Sequence, residues 1–228
     1  MEYSGEENLN VMKLAKNYNN YLVKLITQSI NDSHVKKNVV DFGAGDGYFT
    51  SAVTKELKNQ VISIEPADNM EKYYAQPPLK SLKEVSSGSV NFIYSLNVLE
   101  HIENDKDIIN EFYRVLEPNG GILLYLPAFP CLYSSMDKLV GHYRRYTKKD
   151  VARLFDTALW KVEKVEYADF AGWFVSLLFK YIGNKSGEVS PKALKFYDKI
   201  IFPISLLLDK ITKGKILGKN IIIKVKKH

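Results

Sequence analysis

The segment Val39–Thr50, VVDFGAGDGYFT, constrains this chain more than any other. An apolar run ends in an acid, Asp41, and a glycine-rich turn with Gly43, Gly45 and Gly47 leads into a segment that reads as helix. Strand, glycine turn and helix N-terminus together make a ligand site of the nucleotide type, with close backbone approach and N–H groups pointing outward. A dinucleotide fingerprint places its third glycine three residues after the second. Here Tyr48 holds that place, and the third glycine is Gly47. The spacing favours an adenosyl ligand without a pyrophosphate. The plain alternative is an ordinary strand-to-helix turn.

A second acid extends the pattern. Val61 to Ile64 reads as a buried strand ending at Glu65, 20 residues beyond Gly45. An acid at that tip accepts hydrogen bonds from ribose hydroxyls and repels a 2′-phosphate, which argues against NADP. Ser89 to Ile102 reads as a further strand followed by a polar turn. Glu111 to Pro127 reads as a helix end, a Pro-Asn-Gly-Gly turn and another strand.

As a set, DFGAGDG (41–47), the acid of SIEP (63–66), NVLEHI (97–102) and RVLEPNGG (114–121) resemble the class I S-adenosylmethionine-dependent methyltransferases, over residues 37 to 168. Residues 127–151, PAFPCLYSSMDKLVGHYRRYTKKDV, resemble a subgroup often associated with polysaccharide or glycolipid biosynthesis. The resemblance implies a Rossmann-like α/β fold: a seven-stranded, mostly parallel sheet with helices on both faces and an antiparallel last strand. It implies S-adenosylmethionine as cofactor and S-adenosylhomocysteine as product. There are two departures. Asn91 stands where many relatives carry an Asp, and Ser81-Leu82 occupies the place of the acid that often holds the adenine amino group. Backbone groups near Leu82 are then the expected adenine partners.

Composition sets the frame. With 228 residues and 46% apolar content, one sizeable domain is expected over 1–228. The single cysteine, Cys131, excludes an internal disulfide, and no leader-like segment opens the chain; both fit a reducing cytoplasm. The four histidines show no metal-ligand cluster by spacing, so no metal is expected. The net charge of +6 is uneven: ten lysines and two aspartates lie between Lys192 and His228. Such a tail suits an anionic membrane surface or a solvated face; without aromatic-basic interleaving, nucleic acid is disfavoured.

Periodicity predicts an amphipathic helix over 8–30, with Val11, Ala15, Tyr18, Leu22, Leu25 and Ile26 on its apolar face. Strands are expected near 38–42, 61–65, 80–85, 90–95, 121–126, 160–167 and 219–226. Helices are expected at 47–58, 69–75, 105–116 and 148–157. Alternating β and α argues for a parallel sheet with right-handed crossovers. Between the last two strands, 169–218 reads as a helical insertion with two apolar helices, the second bent near Pro203. It serves as core, as a lid with an apolar acceptor pocket, or as an interfacial anchor for a lipid-linked acceptor.

Ligands of open α/β sheets bind beyond the carboxyl ends of the strands. The cofactor side is therefore assigned to Asp41, Gly43, Ala44, Gly45, Glu65, Pro66, Leu82, Leu96 and Asn97, with Tyr18 of the first helix either closing over the cofactor carboxylate or packing in the core. Asp41 acts by direct contact or by accepting backbone N–H groups of the glycine turn. The acceptor side is assigned to the loop before the 148–157 helix, whose start is marked by Thr147 and Asp150 in a capping-box spacing. His142 is the candidate base, because imidazole titrates near neutrality. Arg144 and Arg145 grip an acidic acceptor or bridge within the protein, and Tyr143 and Tyr146 wall the pocket. His101 reads as loop-capping or cofactor-adjacent. The functions compatible with this reading are methyl transfer to a small-molecule or a lipid- or glycan-linked acceptor at oxygen or nitrogen, a non-catalytic S-adenosyl-binding scaffold, and an RNA methyltransferase.

Overall fold

The computed structural model of the chain describes residues 6–33, 37–182 and 190–228. Residues 183–189, within the expected insertion, lie outside that description. The elements in order are α1 (Glu6–Met12), α2 (Lys16–Asp32), β1 (Val39–Phe42), α3 (Tyr48–Leu57), β2 (Val61–Ile64), β3 (Val90–Leu96), α4 (Asp105–Val115), β4 (Leu116–Pro127), α5 (Ser135–Leu139), α6 (Lys148–Leu154), β5 (Trp160–Ala168), α7 (Phe170–Ile182), α8 (Pro191–Phe196), α9 (Phe202–Thr212) and β6 (Asn220–Lys227).

The sheet has six strands in the order β2-β1-β3-β4-β6-β5. β1 pairs in parallel with β2 and β3, β3 with β4, and only β6 runs antiparallel, between β4 and β5. This is the Rossmann-like arrangement expected, with one strand fewer. The segment 80–85 is not a strand. A single bridge joins Leu79 to Ile64, and the chain then turns through a 3₁₀ helix, Leu82–Glu84. The cause is local: Ser81 and Glu84 form a capping box that folds the backbone away from the sheet edge.

Chain order reverses between β1 and β3, so the carboxyl ends of β1, β2, β3 and β4 open onto one crevice. Two buried clusters hold the sheet, one on each face. One includes Val40, Ile93, Phe112, Leu124 and Trp160; the other includes Leu22, Ile26, Tyr94, Tyr125 and Phe202. The expected 8–30 helix is broken at Lys13–Ala15 into α1 and α2, and only α2 buries a face.

The insertion is knitted in by buried acids. Asp198 accepts the Asn17 and Tyr18 N–H groups at 3.0 and 2.9 Å, and Asp209 accepts those of Asp169 and Phe170 at 2.7 and 2.9 Å. Asp169 accepts the Ser205 hydroxyl at 2.8 Å and the Tyr197 hydroxyl. The bend expected near Pro203 is a π-helical turn, Tyr197–Ile201, directly before α9. The wider turn accommodates a ring that blocks the regular ladder.

Candidate active site

Two walls face each other across the crevice. The first is the glycine turn. Gly43, Gly45 and Gly47 all have positive φ, of 76°, 56° and 73°. A Cβ on Gly43 would lie 2.3 Å from Val98 Cγ2, so the turn meets the loop after β3 where only glycine fits. Five N–H groups between Gly43 and Tyr48 are bonded within the protein rather than left pointing outward. Those of Gly43 and Ala44 donate to the Ile64 carbonyl at 2.9 and 3.1 Å, and that of Gly45 to Glu65 Oε2 at 2.8 Å. Those of Gly47 and Tyr48 go to the Ala44 carbonyl and Asp46 Oδ1, at 2.9 and 3.1 Å. The outward-pointing N–H groups expected of this turn are therefore largely taken up within the protein, which fits the adenosyl ligand without a pyrophosphate that the glycine spacing favours.

Glu65 closes the end of β2. Its other oxygen accepts the Ala67 N–H at 2.9 Å. Burial raises its pKa, and the Ala67 and Gly45 N–H groups oppose that rise. Pro66 beside it is exposed. Asp41 accepts no N–H of the glycine turn among the described residues. It turns inward and accepts the Thr50 and Tyr94 hydroxyls at 2.7 and 2.9 Å. Burial pushes its pKa up to about 7 against those two bonds. Leu82 is buried, and its carbonyl accepts from Arg114 at 2.8 Å. Leu96 is half-buried and Asn97 exposed; Asn97 has φ of 52°, and its N–H locks to the Tyr125 carbonyl at 2.8 Å.

Tyr18 is buried edge-on between Tyr125 and Phe202, with ring centroids 6.2 and 5.2 Å away. It is core packing at the crevice floor rather than a lid. The cover comes from residues the sequence did not single out. Leu9 lies over Gly45, Lys13 pairs with Asp46 at 2.7 Å, and the Tyr73 hydroxyl donates to Glu6 at 2.6 Å. The Tyr74 hydroxyl donates to the Gly45 carbonyl at 2.9 Å. These contacts lay α1 across the mouth of the glycine turn.

The second wall is the loop 128–147. Its anchor is Asp137, buried on α5, which accepts His142 Nδ1 and Arg145 Nε at 2.8 Å each, and the Ser134 N–H at 2.9 Å. Burial would raise the Asp137 pKa, but His142 and Arg145 override it and hold the carboxyl well below the usual range. Arg144 pairs with Asp105 at 2.9 Å and donates to the Glu103 carbonyl at 2.6 Å. Both arginines are thus occupied within the protein. Tyr146 is buried and donates to Asp105 at 2.9 Å, so it is not a pocket wall; Tyr143 is exposed. The Tyr143 N–H donates to the Glu100 carbonyl at 2.7 Å, clipping this loop to the turn after β3.

That clip brings His142 against His101, with ring centroids 4.5 Å apart, and leaves His142 Nε2 3.9 Å from Glu100 Oε1. Sequence spacing hides this grouping, because 41 residues separate the two histidines. Burial pushes the Glu100 pKa up to about 8; burial and the neighbouring His142 push that of His101 down to about 4.

A methyltransferase-domain family model matches residues 14–165, two-thirds of the chain. The chain belongs to the methyltransferase-domain family. It is an enzyme of S-adenosylmethionine-dependent methyl transfer. Among solved structures it is similar to a SAM-dependent methyltransferase from Archaeoglobus fulgidus, at 16% identity and a TM-score of 0.57, covering 90% of this chain and 94% of that one. It is also similar to the geranyl diphosphate C-methyltransferase of Streptomyces coelicolor A3(2), at 10% identity and a TM-score of 0.60, covering 92% and 82%. No curated protein matches the chain by sequence. The cofactor is S-adenosylmethionine and the product S-adenosylhomocysteine. The residues fit it: the Glu65 carboxylate is held by backbone N–H groups at the end of β2, beside a glycine turn that offers no pyrophosphate cradle.

Proposed function

We propose that this methyltransferase modifies a hydroxyl or amine of a small-molecule or a lipid- or glycan-linked acceptor, entering on the His142 side of the crevice. When bound, S-adenosylmethionine supplies a methyl group on a sulfonium. The protein then has to align the acceptor, exclude water and take up a proton. Glu65 holds the ribose hydroxyls, Pro66 and the Leu82 N–H face the adenine, and the Leu96–Asn97 backbone lines the amino acid end. The observation that carries the acceptor side is the Asp137–His142 pair at 2.8 Å. It fixes one ring nitrogen and leaves Nε2 to receive a proton, an arrangement suited to a general base. Tyr143, exposed on the same loop, forms the outer wall.

The insertion supports an apolar acceptor. Trp173 packs edge-on against Phe129, at 6.4 Å between centroids, directly past β4. Lys180 on α7 donates to the Cys131 carbonyl at 2.6 Å, tying the helix to the same loop. Phe174, Leu178, Phe179, Leu207 and Ile211 are more than half exposed. Lysines flank them, an arrangement suited to an anionic cytoplasmic membrane surface. No helix among the described residues is long and apolar enough to cross a membrane. An RNA acceptor is less well supported, because the lysine-rich tail is folded into α8, α9 and the strand β6 rather than a free arm. Within it, Lys227 donates to the Tyr113 and Leu116 carbonyls at 2.6 and 2.7 Å.

Mass spectrometry of small molecules and lipids from cells with and without the protein tests the acceptor class; species differing by one methyl group are expected. Calorimetry tests the cofactor side. S-adenosylhomocysteine should bind and NAD should not, and Glu65→Ala should weaken binding by about 1.5–3 kcal/mol. Tight NAD binding would overturn it.

A further inference from the structure

Glu100 is the least expected residue of the fold. It is 0% exposed, and neither carboxylate oxygen has a hydrogen-bond partner among the described residues beyond its own backbone N–H. A carboxylate buried without a partner costs several kcal/mol, so such a group calls for an ion or a ligand. It is aimed at two imidazoles. One ligand atom each from Glu100, His101 and His142 lie within 4.8 Å of one another.

The outer nitrogen of one ring is already held: His142 Nδ1 is fixed by Asp137 at 2.8 Å. Histidines that bind metals almost always have the second nitrogen fixed in this way by a carboxylate or a backbone carbonyl. The backbone supports the same geometry. The 3₁₀ turn Leu99–His101 presents two of the side chains, and the Tyr143 N–H and the Tyr133 hydroxyl, donating to the His142 carbonyl at 2.6 Å, hold the third in place.

We propose that Glu100, His101 and His142 bind one divalent first-row transition-metal cation on the acceptor side of the crevice. Two imidazoles and one carboxylate favour zinc, manganese, iron or cobalt over magnesium or calcium, which prefer all-oxygen sets. Bond lengths of about 2.0–2.2 Å would bring tetrahedral ligand atoms to roughly 3.4 Å apart. Side-chain rotation of about 1 Å closes the present grouping to that spacing. Three protein ligands leave a coordination position open, as in catalytic rather than structural sites. A hydroxyl oxygen of the acceptor fits that position; binding there makes its proton more acidic, and the proton passes to solvent. This deepens the methyl-transfer reading and rests on it for the acceptor. The lone pair of His142 Nε2 then serves the cation, so the proton of the acidified hydroxyl goes to solvent rather than to the imidazole.

The test is cation binding itself, measured on chelator-treated protein free of any histidine tag. Calorimetric titration with zinc and manganese, with cobalt absorption as a spectroscopic readout, should give one cation per chain and a rise in melting temperature. Glu100→Gln and His101→Ala should each lower the affinity 100-fold or more, and Asp137→Asn 10- to 100-fold. If Glu100→Gln does not fold, His101→Ala, on a half-exposed side chain, still decides. The proposal is overturned if the wild-type protein takes up no cation, or takes it up as tightly as His101→Ala does. S-adenosylhomocysteine binding is measured in parallel. If it persists without cation uptake, the metal site alone falls. If cation binds and S-adenosylhomocysteine does not, the methyl-transfer reading falls and the metal site stands.

Discussion

The two walls of the crevice are built on opposite principles. On the glycine-turn wall the polar backbone is largely satisfied from within: five N–H donors between Gly43 and Tyr48 find the Ile64 carbonyl, Glu65, Ala44 or Asp46. On the opposite side the Glu100 oxygens and Trp173 Nε1 are buried without hydrogen-bond partners among the described residues. Native folds rarely tolerate such groups unless a ligand, ion or water completes them. The closed wall carries the glycine turn and Glu65, the part proposed above for the cofactor. The open wall is shaped for what is particular to this chain, and it also carries the exposed apolar face of α7 and α9. Satisfied geometry marks the general part of the site, and unmet polar demand marks the specific part.

The sharpest way to separate the walls is His142→Ala. Turnover is expected to fall roughly 10²–10⁴-fold, the range for removing a general acid or base, while S-adenosylhomocysteine affinity stays the same. Steady-state kinetics and calorimetry on the same preparation check it. Equal loss of cofactor binding would show that the two walls are one unit.

Gly43→Ala strikes the closed wall. A side chain at φ of 76° costs about 1–2 kcal/mol, and the collision with Val98 adds about 1–3 kcal/mol of overpacking. Thermal or urea unfolding should show a loss of roughly 2–5 kcal/mol, part of which Val98→Ala recovers. Full stability in the single variant would mean that the walls do not meet there.

A pH experiment probes the buried hinge of the closed wall. Burial holds Asp41 up to about 7, whereas in the unfolded chain an aspartate titrates near ~3.9. Between those values the folded protein carries a proton that the unfolded chain has lost. The stability this contributes is full below about pH 4 and lost as the pH rises to 7. Asp41→Asn removes the linkage. The stability gap between wild type and variant should therefore shift against the wild type by on the order of 3 kcal/mol between pH 4 and 7. Parallel stability curves would place Asp41 in a wetter site.

What was legible in the sequence follows the same division. The glycine turn, Glu65 and the alternation of strands and helices are local patterns, and the fold kept them. The failure of 80–85 as a strand was also readable, since Ser81 and Glu84 have capping-box spacing. Long-range packing was not readable. Nothing in NVLEHI says that Glu100 is fully buried, and Asp137 looks like an ordinary helix acid until His142 and Arg145 are seen folded back onto it. Tyr18 lies on the predicted apolar face, but whether its ring faced ligand or core depended on Phe202, 184 residues away.

The smallest expected effect concerns the outermost part of the open wall. Leu178 and Phe179 on α7 are 57% and 58% exposed, so replacing both with Ser should leave the melting temperature almost unchanged. If this face meets a membrane, the wild-type protein floats with vesicles containing anionic lipid at low salt. The double variant should bind them about tenfold more weakly, because part of the roughly 1.5–3 kcal/mol available from burying each such side chain is lost. Added salt should weaken both proteins alike through their flanking lysines, each worth about 1 kcal/mol near an anionic surface. Leu159, 40% exposed at the start of β5 on the sheet edge, supplies the control: Leu159→Ser should not alter flotation. Wild-type protein that never floats would confine the apolar face to a soluble acceptor, and loss of flotation in the Leu159 variant would show that general hydrophobicity, not this face, drives the binding.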